Sequence, residues 1–245
     1  MMYLQPGWFA PARVGAAFSL RGGGVSEGVY ASLNVGAHVG DDPAAVAENR
    51  RRLGRALQLP AEPLWLQQVH GCEVFDADAV APPAQPPMAD AAVSRRAGTV
   101  LAVMVADCLP VLFCREDGAA IGVAHAGWRG LLGGVLPATV AALDGPARLQ
   151  AWIGPGISTT HFEVGDEVRD AFISDDAGAA RWFAANSRGR WQCDLAGLAR
   201  QRLQQLGIAQ ISDSGLCTHA DAQRFYSHRR DGRTGRMVAL LWLKP

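Results

Sequence analysis

The amino-acid sequence predicts an α+β fold, a single domain of mixed β-sheets flanked by helices. Three observations carry that expectation. Strand-like apolar runs follow one another without intervening helices at Thr99 to Val105, Pro110 to Phe113 and Ala119 to Ala124, which argues against a doubly wound parallel sheet. Helix signals are confined to a few capped segments elsewhere. Hydrophobic residues fill 49% of the 245 positions and charged residues 19%, a balance that can bury a substantial core.

Taken in chain order, Val14 to Ser19 reads as a strand and runs into the flexible stretch Arg21 to Ser26. Tyr30 to Asp41 has no regular pattern. Asp42-Pro43 marks a helix start, with Asp as N-cap and Pro at the first helical position. Val46, Leu53 and Leu57 recur at helical intervals, and Pro60 bounds the helix. Leu64 to Val69 is expected as a strand ending at His70-Gly71. Ala79 to Met88, with its four prolines, is expected as a surface loop within one domain spanning 1–245.

Ala106-Asp107-Cys108 separates two strands, and Glu116-Asp117-Gly118 is a turn. Gly127-Trp128-Arg129-Gly130 is expected to open a helix reaching Leu143. Leu149 to Ile153 reads as a strand and Phe162 to Phe172 as a helix. Asp194 caps a further helix to Leu206, with Gly207 as its stop. Ile208 to Ser212 and Met237 to Leu243 complete the strands.

The formal net charge is zero, so no global field draws the chain to nucleic acid or to an anionic membrane. The expected partner is a small molecule. Lys244 is the only lysine; an arginine-rich basic set suits planar contacts with phosphate or carboxylate, and equally fits a coding bias. Five cysteines without a C-x-x-C pair do not form a disulfide framework. Met1 to Ala10 lacks the features of a signal peptide, and no apolar run approaches the ~20 residues of a membrane span. The expectation is a soluble protein of the reducing cytoplasm. Neither a Walker-type phosphate loop nor a dinucleotide-binding glycine fingerprint is present.

Chemistry concentrates at strand ends. Cys108 and His125 are each expected at the end of an apolar strand, and His70 at the end of a third. Two imidazoles and a thiolate suit zinc, and three protein ligands leave a fourth position for water or substrate. Taken singly, a cysteine after a hydrophobic strand is more often core than ligand.

The same pair has a second reading, with Cys108 as an acyl-transfer nucleophile and His125 as its base. Asp107 then orients His125 or His70, carries a proton, or merely shapes a turn. A third reading is a zinc-dependent binding protein without turnover. Arg129, at a helix start, favours an anion. Arg229 and Arg230 offer a second anion contact, or an ion pair with Asp231. Arg21 and the glycines after it allow a ligand close to the backbone. Trp8, Trp65, Trp128 and Trp152 are candidates to line a pocket for a flat ring, although tryptophans more often pack cores.

Together these segments resemble the YfiH-like family, also called the laccase-domain or multicopper polyphenol oxidoreductase family. The most specific blocks are Ala106-Asp107-Cys108-Leu109-Pro110-Val111 and Ala124-His125-Ala126-Gly127-Trp128-Arg129-Gly130. Others include Arg21 to Ser26, Ser32 to His38, Gly40 to Pro43 leading to Asn49-Arg50, Trp65 to Gly71, Ala89-Asp90-Ala91, Ile153-Gly154-Pro155, Phe162 to Gly165, Cys217-Thr218, Ser227 to Asp231 and Thr234 to Met237. His228 departs from the pattern, where related sequences often carry Tyr.

The resemblance implies a metal site at His70, Cys108 and His125, with Asn34 joining the arginines at the substrate. It implies a fold like the catalytic domain of cytotoxic necrotising factor toxins. It also implies purine nucleoside phosphorylase activity on adenosine, inosine and methylthioadenosine, with adenosine deamination beside it. Polyphenol oxidation and hydrolysis of an L-serine muropeptide precursor are the family's other assignments.

The residues themselves speak against a four-copper laccase. Copper clusters need many imidazoles, and this chain has six histidines with no His-x-His pair; copper at the same three ligands is the remaining form of that reading. The His-x-Glu and Pro-Cys-x-x-Cys signature of zinc nucleobase deaminases is also missing. For phosphorolysis, the expectation is that Arg129 with Arg229 or Arg230 holds phosphate.

Overall fold

The computed structural model describes residues 1–79 and 85–245, so half of the expected proline loop, 80–84, lies outside the described residues. The strands are β1 (Tyr3–Leu4), β2 (Val14–Ser19), β3 (Val74–Asp76), β4 (Ala91–Ser94), β5 (Val100–Val105), β6 (Leu109–Arg115), β7 (Ile121–Ala126), β8 (Leu149–Ile153), β9 (Glu163–Val164), β10 (Phe183–Ala185), β11 (Trp191–Cys193), β12 (Gln210–Asp213) and β13 (Met237–Leu243). The helices are α1 (Pro43–Leu57), α2 (Trp128–Gly133), α3 (Val135–Ala142), α4 (Asp166–Asp175), α5 (Leu195–Gln205) and the short α6 (His228–Asp231).

Two sheets stack face to face. One has the order β1-β2-β13-β5, all antiparallel; the other runs β12-β8-β6-β7-β4-β3, parallel only at its two edge pairs. A small sheet, β10-β11-β9, stands apart from these.

The alternation along β13 explains the layering. Met237, Ala239, Leu241 and Leu243 enter the core between the two sheets, together with Leu112, Ile121, Val123 and Trp152. Val238, Leu240 and Trp242 face the other way, towards Leu53 of α1. The opposite face of the six-stranded sheet carries Val111, Phe113 and Ala124 against residues of α2 to α5 such as Leu131, Leu136, Phe172 and Leu198. The result is helix, sheet, sheet, helices. Strands covered on both faces read as continuous apolar runs, which is why β2, β8 and β13 have the bounds expected from the sequence.

Several local expectations are corrected. Leu64 to Val69 is not a ladder strand; it makes isolated bridges at Leu64 and Gln67. The Gln68 side chain does the pairing instead, donating to the Met104 carbonyl and accepting from the Met104 amide, each at 2.8 Å. The helix expected through Leu143 breaks at Gly134, whose φ of 101° is open to glycine and closed to most other residues. Phe162 to Phe172 divides into β9 and α4, because Glu163 and Val164 pair with Gln192 and Trp191. Asp42 caps α1 by accepting from the Ala44 amide. That helix ends at Gln58, which is left-handed, two residues before Pro60. Asp194 caps α5 as expected, accepting from Gly197.

Candidate metal centre

The β6–β7 hairpin creates the site. Its register places Pro110 opposite His125 and Leu109 opposite Ala126, so Cys108, one residue before β6, arrives beside His125. His125 lies within β7, and not at its end. His70 lies in a turn with left-handed φ of 62°. The ligand atoms of His70, Cys108 and His125 all fall within 4.8 Å of one another. Cys108 Sγ is 3.9 Å from His70 Nε2, and the two imidazoles meet edge to face with centroids 4.8 Å apart. This spacing needs only a small contraction to bring all three donors within ~2.0–2.3 Å of one tetrahedral ion.

Asp90, fully buried, organises the centre. Its carboxylate lies 2.8 Å from His125 Nδ1 and accepts from the amides of Val69, His70 and Gly71 at 2.8 to 3.0 Å. One side chain thus fixes the orientation of the buried imidazole and the backbone that carries the other. With Nδ1 engaged by a carboxylate, His125 is left with Nε2 for a metal, the usual arrangement at ligating histidines. Gly127 keeps the approach clear, since a Cβ there would sit 2.9 Å from Cys108 Sγ and 3.1 Å from His70 Cδ2.

Without a metal, the charges pair. Burial pushes the Cys108 thiol up, but the adjacent His125 charge and hydrogen bonds from both imidazoles outweigh it and draw the thiol down to about 6. Burial pulls His125 down, while Cys108 and Asp90 raise it to about 9. Burial also works against ionised Asp90, yet bonds from His125 and the loop amides hold it below the usual carboxylate range.

Of the roles open to Asp107, the contacts fit the shaping of a turn. Its carboxylate accepts from Thr218 Oγ1 at 2.6 Å, Ser227 Oγ at 3.0 Å and the Arg229 amide at 2.7 Å. It orients neither histidine. These bonds hold its backbone at φ 92°, and so aim the next residue, Cys108.

The other expected ligand-binding residues divide. Arg21 donates to the carbonyls of Ala31 and Ala222. Arg230 is taken up by the carbonyls of Thr218, His219 and Phe225 and by Asp231. Asn34 is buried and ties the loop of Gly36 to Asp41 and the Arg236 amide. These three build the fold around the site. Arg129 is exposed, its guanidinium 4.4 Å above the Trp128 ring. Arg229 donates to the Glu163 carbonyl and lies over Phe162.

A cavity of about 130 Å³ opens beside Cys108, walled by Trp128, Ile157, Phe162, Leu195 and Arg229. Of the four tryptophans singled out, only Trp128 reaches it. Trp152 is buried between the sheets and Trp8 packs against that core, while Trp65 lies under Arg50.

Sequence reasoning assigned no role to Asp90. A signal existed, because an isolated acid among alanines leading into an apolar strand must find partners once buried.

A stacked pair of sheets between helical layers carries, among the described residues, one His–Cys–His cluster of candidate metal ligands steadied by a buried carboxylate. The chain belongs to the multi-copper polyphenol oxidoreductase laccase family, whose model matches residues 15–244. A purine nucleoside phosphorylase of Pseudomonas aeruginosa is 49% identical over 244 residues, covering 99% of this chain and 98% of that protein. The purine nucleoside phosphorylase YfiH of Escherichia coli is 48% identical over 241 residues, 98% of each. Among solved structures, a Neisseria meningitidis protein superposes with a TM-score of 0.95 at 43% identity over the full length of both chains. YlmD of Geobacillus stearothermophilus gives 0.89 at 32% identity, covering 100% of this chain and 99% of that one. Among the described residues, no helix is long and apolar enough to cross a membrane.

Proposed function

We propose that the chain is a zinc-dependent purine nucleoside phosphorylase acting on adenosine, inosine or methylthioadenosine, with adenosine deamination as a side activity. The observation that carries this reading is the Asp90-oriented cluster of His70, Cys108 and His125 at the mouth of an apolar cavity. Full-length relatives bearing the phosphorylase name support it. The donor set fits zinc, because a thiolate and two imidazoles suit that ion and the ionised thiol is already favoured. Five free cysteines fit a reducing compartment, so we place the protein in the cytoplasm.

In this reading His70, Cys108 and His125 hold the ion, which when bound supplies Lewis acidity at its open position. Trp128, Phe162, Ile157 and Leu195 offer an apolar face to a purine ring. Phosphorolysis forms a bond from a phosphate oxygen to C1′ and breaks the bond from C1′ to N9. The electron pair leaves on the purine, which takes up a proton. The protein's task is to hold phosphate and nucleoside in line and away from bulk water.

The test is incubation of zinc-loaded protein with adenosine, with and without phosphate, followed by chromatography. The expected products are adenine and ribose 1-phosphate, dependent on phosphate and lost in Cys108→Ala. Inosine without adenine would replace phosphorolysis with deamination.

A second reading rests on the Asp90–His125–Cys108 order, which also suits a thiolate nucleophile oriented by a histidine and a carboxylate. It would act as an amide hydrolase on a muropeptide precursor. That enzyme should keep its activity after chelation and lose it to a thiol alkylating agent, whereas the zinc enzyme should lose activity on chelation and regain it with added zinc.

A further inference from the structure

The arginines expected to hold an anion, Arg129, Arg229 and Arg230, sit on the cavity side of the centre or are consumed by carbonyls. Near the Ala106–Cys108 turn, where β13 pairs Met237 with Val105, lies a cationic group that the sequence reading did not assign. The segment 34–38 runs between two guanidiniums. Arg50, from α1, donates through Nε to the Val35 carbonyl at 2.9 Å, and its guanidinium lies 3.7 Å from the Trp65 ring. Arg236, just before β13, packs its Cγ against Gly36, where a Cβ would come within 2.8 Å. Its amide is held by Asn34 Oδ1 at 2.8 Å, and its Nη1 reaches only its neighbouring carbonyls at Thr234 and Gly235.

Both arginines are partly buried, and among the described residues neither forms an ion pair with a carboxylate. Each feels a negative charge without direct contact, Glu62 at Arg50 and Cys108 with Asp107 at Arg236. Glu62 takes the Trp65 indole N–H, and Asp107 takes two hydroxyls and an amide. His38 is exposed at the end of the segment and lies in the combined positive field of Arg236, Arg50, His70 and His125. Arg236 in turn lies within the field of Cys108. Two partly buried guanidiniums with no direct carboxylate partner, held by backbone and ring contacts, keep N–H groups available to an oxyanion.

We propose that Arg236 and His38, backed by Arg50, form the inorganic phosphate subsite, beside the metal centre and outside the lining of the apolar cavity. This assignment rests on the phosphorylase reading and gives it a direction. Phosphate enters on the side of segment 34–38, the purine lies against Trp128 and Phe162, and the ribose spans the centre. Asn34 then acts as a positioning residue, because it binds the amides of both Gly36 and Arg236.

The experiment compares zinc-loaded wild type with Arg236→Gln, Arg236→Lys, Arg50→Gln and the control Arg51→Gln, a solvent-facing neighbour paired with Glu48. The expected result for Arg236→Gln is a KM for phosphate raised about tenfold or more, with zinc content and the KM for nucleoside unchanged. Arg236→Lys should recover part of the loss and Arg50→Gln should show a smaller rise, while Arg51→Gln stays at the wild-type value. Unchanged phosphate KM in both Arg236→Gln and Arg50→Gln would overturn the subsite and leave the phosphorylase reading intact.

If wild type cleaves no nucleoside, that reading fails and calorimetric titration with inorganic phosphate decides the subsite separately. Binding to wild type that is weakened in Arg236→Gln supports it. No binding to wild type, or equal binding to both, overturns it. A folded state of each variant is checked by circular dichroism, and Arg50→Gln carries the test if Arg236→Gln fails to fold.

Discussion

Asp90 and Asp107 are both buried aspartates beside the same centre, and each accepts at least three hydrogen bonds. Their donors differ. Asp90 takes an imidazole nitrogen and three consecutive loop amides, so its charge reaches the candidate ligands His125 and His70 directly. Asp107 takes two hydroxyls and one amide from segments more than a hundred residues away in sequence, so its charge fastens the strand end that presents Cys108. A buried carboxylate tunes chemistry only through what it binds. One of these governs a ligand and the other governs a turn.

The largest expected effect breaks the Asp90 side. Asp90→Asn should weaken zinc binding by about 10–100-fold, the usual range for losing such a partner to a ligating histidine, read by competition with a chelating dye. Asp107→Asn should instead cost about 1–3 kcal/mol of stability in urea unfolding while zinc affinity holds. Equal losses of zinc affinity in the two variants would erase the difference between the two carboxylates.

A pH measurement sharpens it. In metal-free protein the Cys108 thiolate is present above about 6 and is lost as pH falls through that value, because the folded-state pKa lies below the ordinary 9.0. Alkylation of Cys108 should therefore be fast at neutral pH and slow below 6. In Asp90→Asn the midpoint should rise, since His125 loses the partner that keeps it charged; in Asp107→Asn it should stay. A midpoint near 9 in the wild type would contradict the ion pair. The smallest effect concerns one hydroxyl: Thr218→Val, removing the 2.6 Å bond to Asp107, should cost about 1 kcal/mol. Thermal unfolding of the metal-free protein measures it.

Much of the frame is legible from residues alone. β2, β8 and β13 follow from apolar runs bounded by turns, and α1 and α5 from their aspartate caps. The three candidate ligands were legible as chemical types, although His70 follows no ladder strand and His125 lies within β7. The helix expected from Phe162 starts only at Asp166, because Glu163 and Val164 find partners at Gln192 and Trp191, a contact that no local period reveals. The strand expected at Leu64 failed for the converse reason, since a Gln68 side chain replaced the backbone ladder. Among the arginines, residue type alone could not separate those consumed by carbonyls from those left without an acid.

The sequence by itself determined the apolar runs, the caps and the donor set of a thiol and two imidazoles. Tertiary structure decided which carboxylate serves them. Asp90 meets His125 across 35 residues because β4 pairs with β7 in the register that sets Ala91 against Ala124. A slip of one residue would turn Asp90 to the other face of the sheet, and that register is fixed by packing on both sides of the strands.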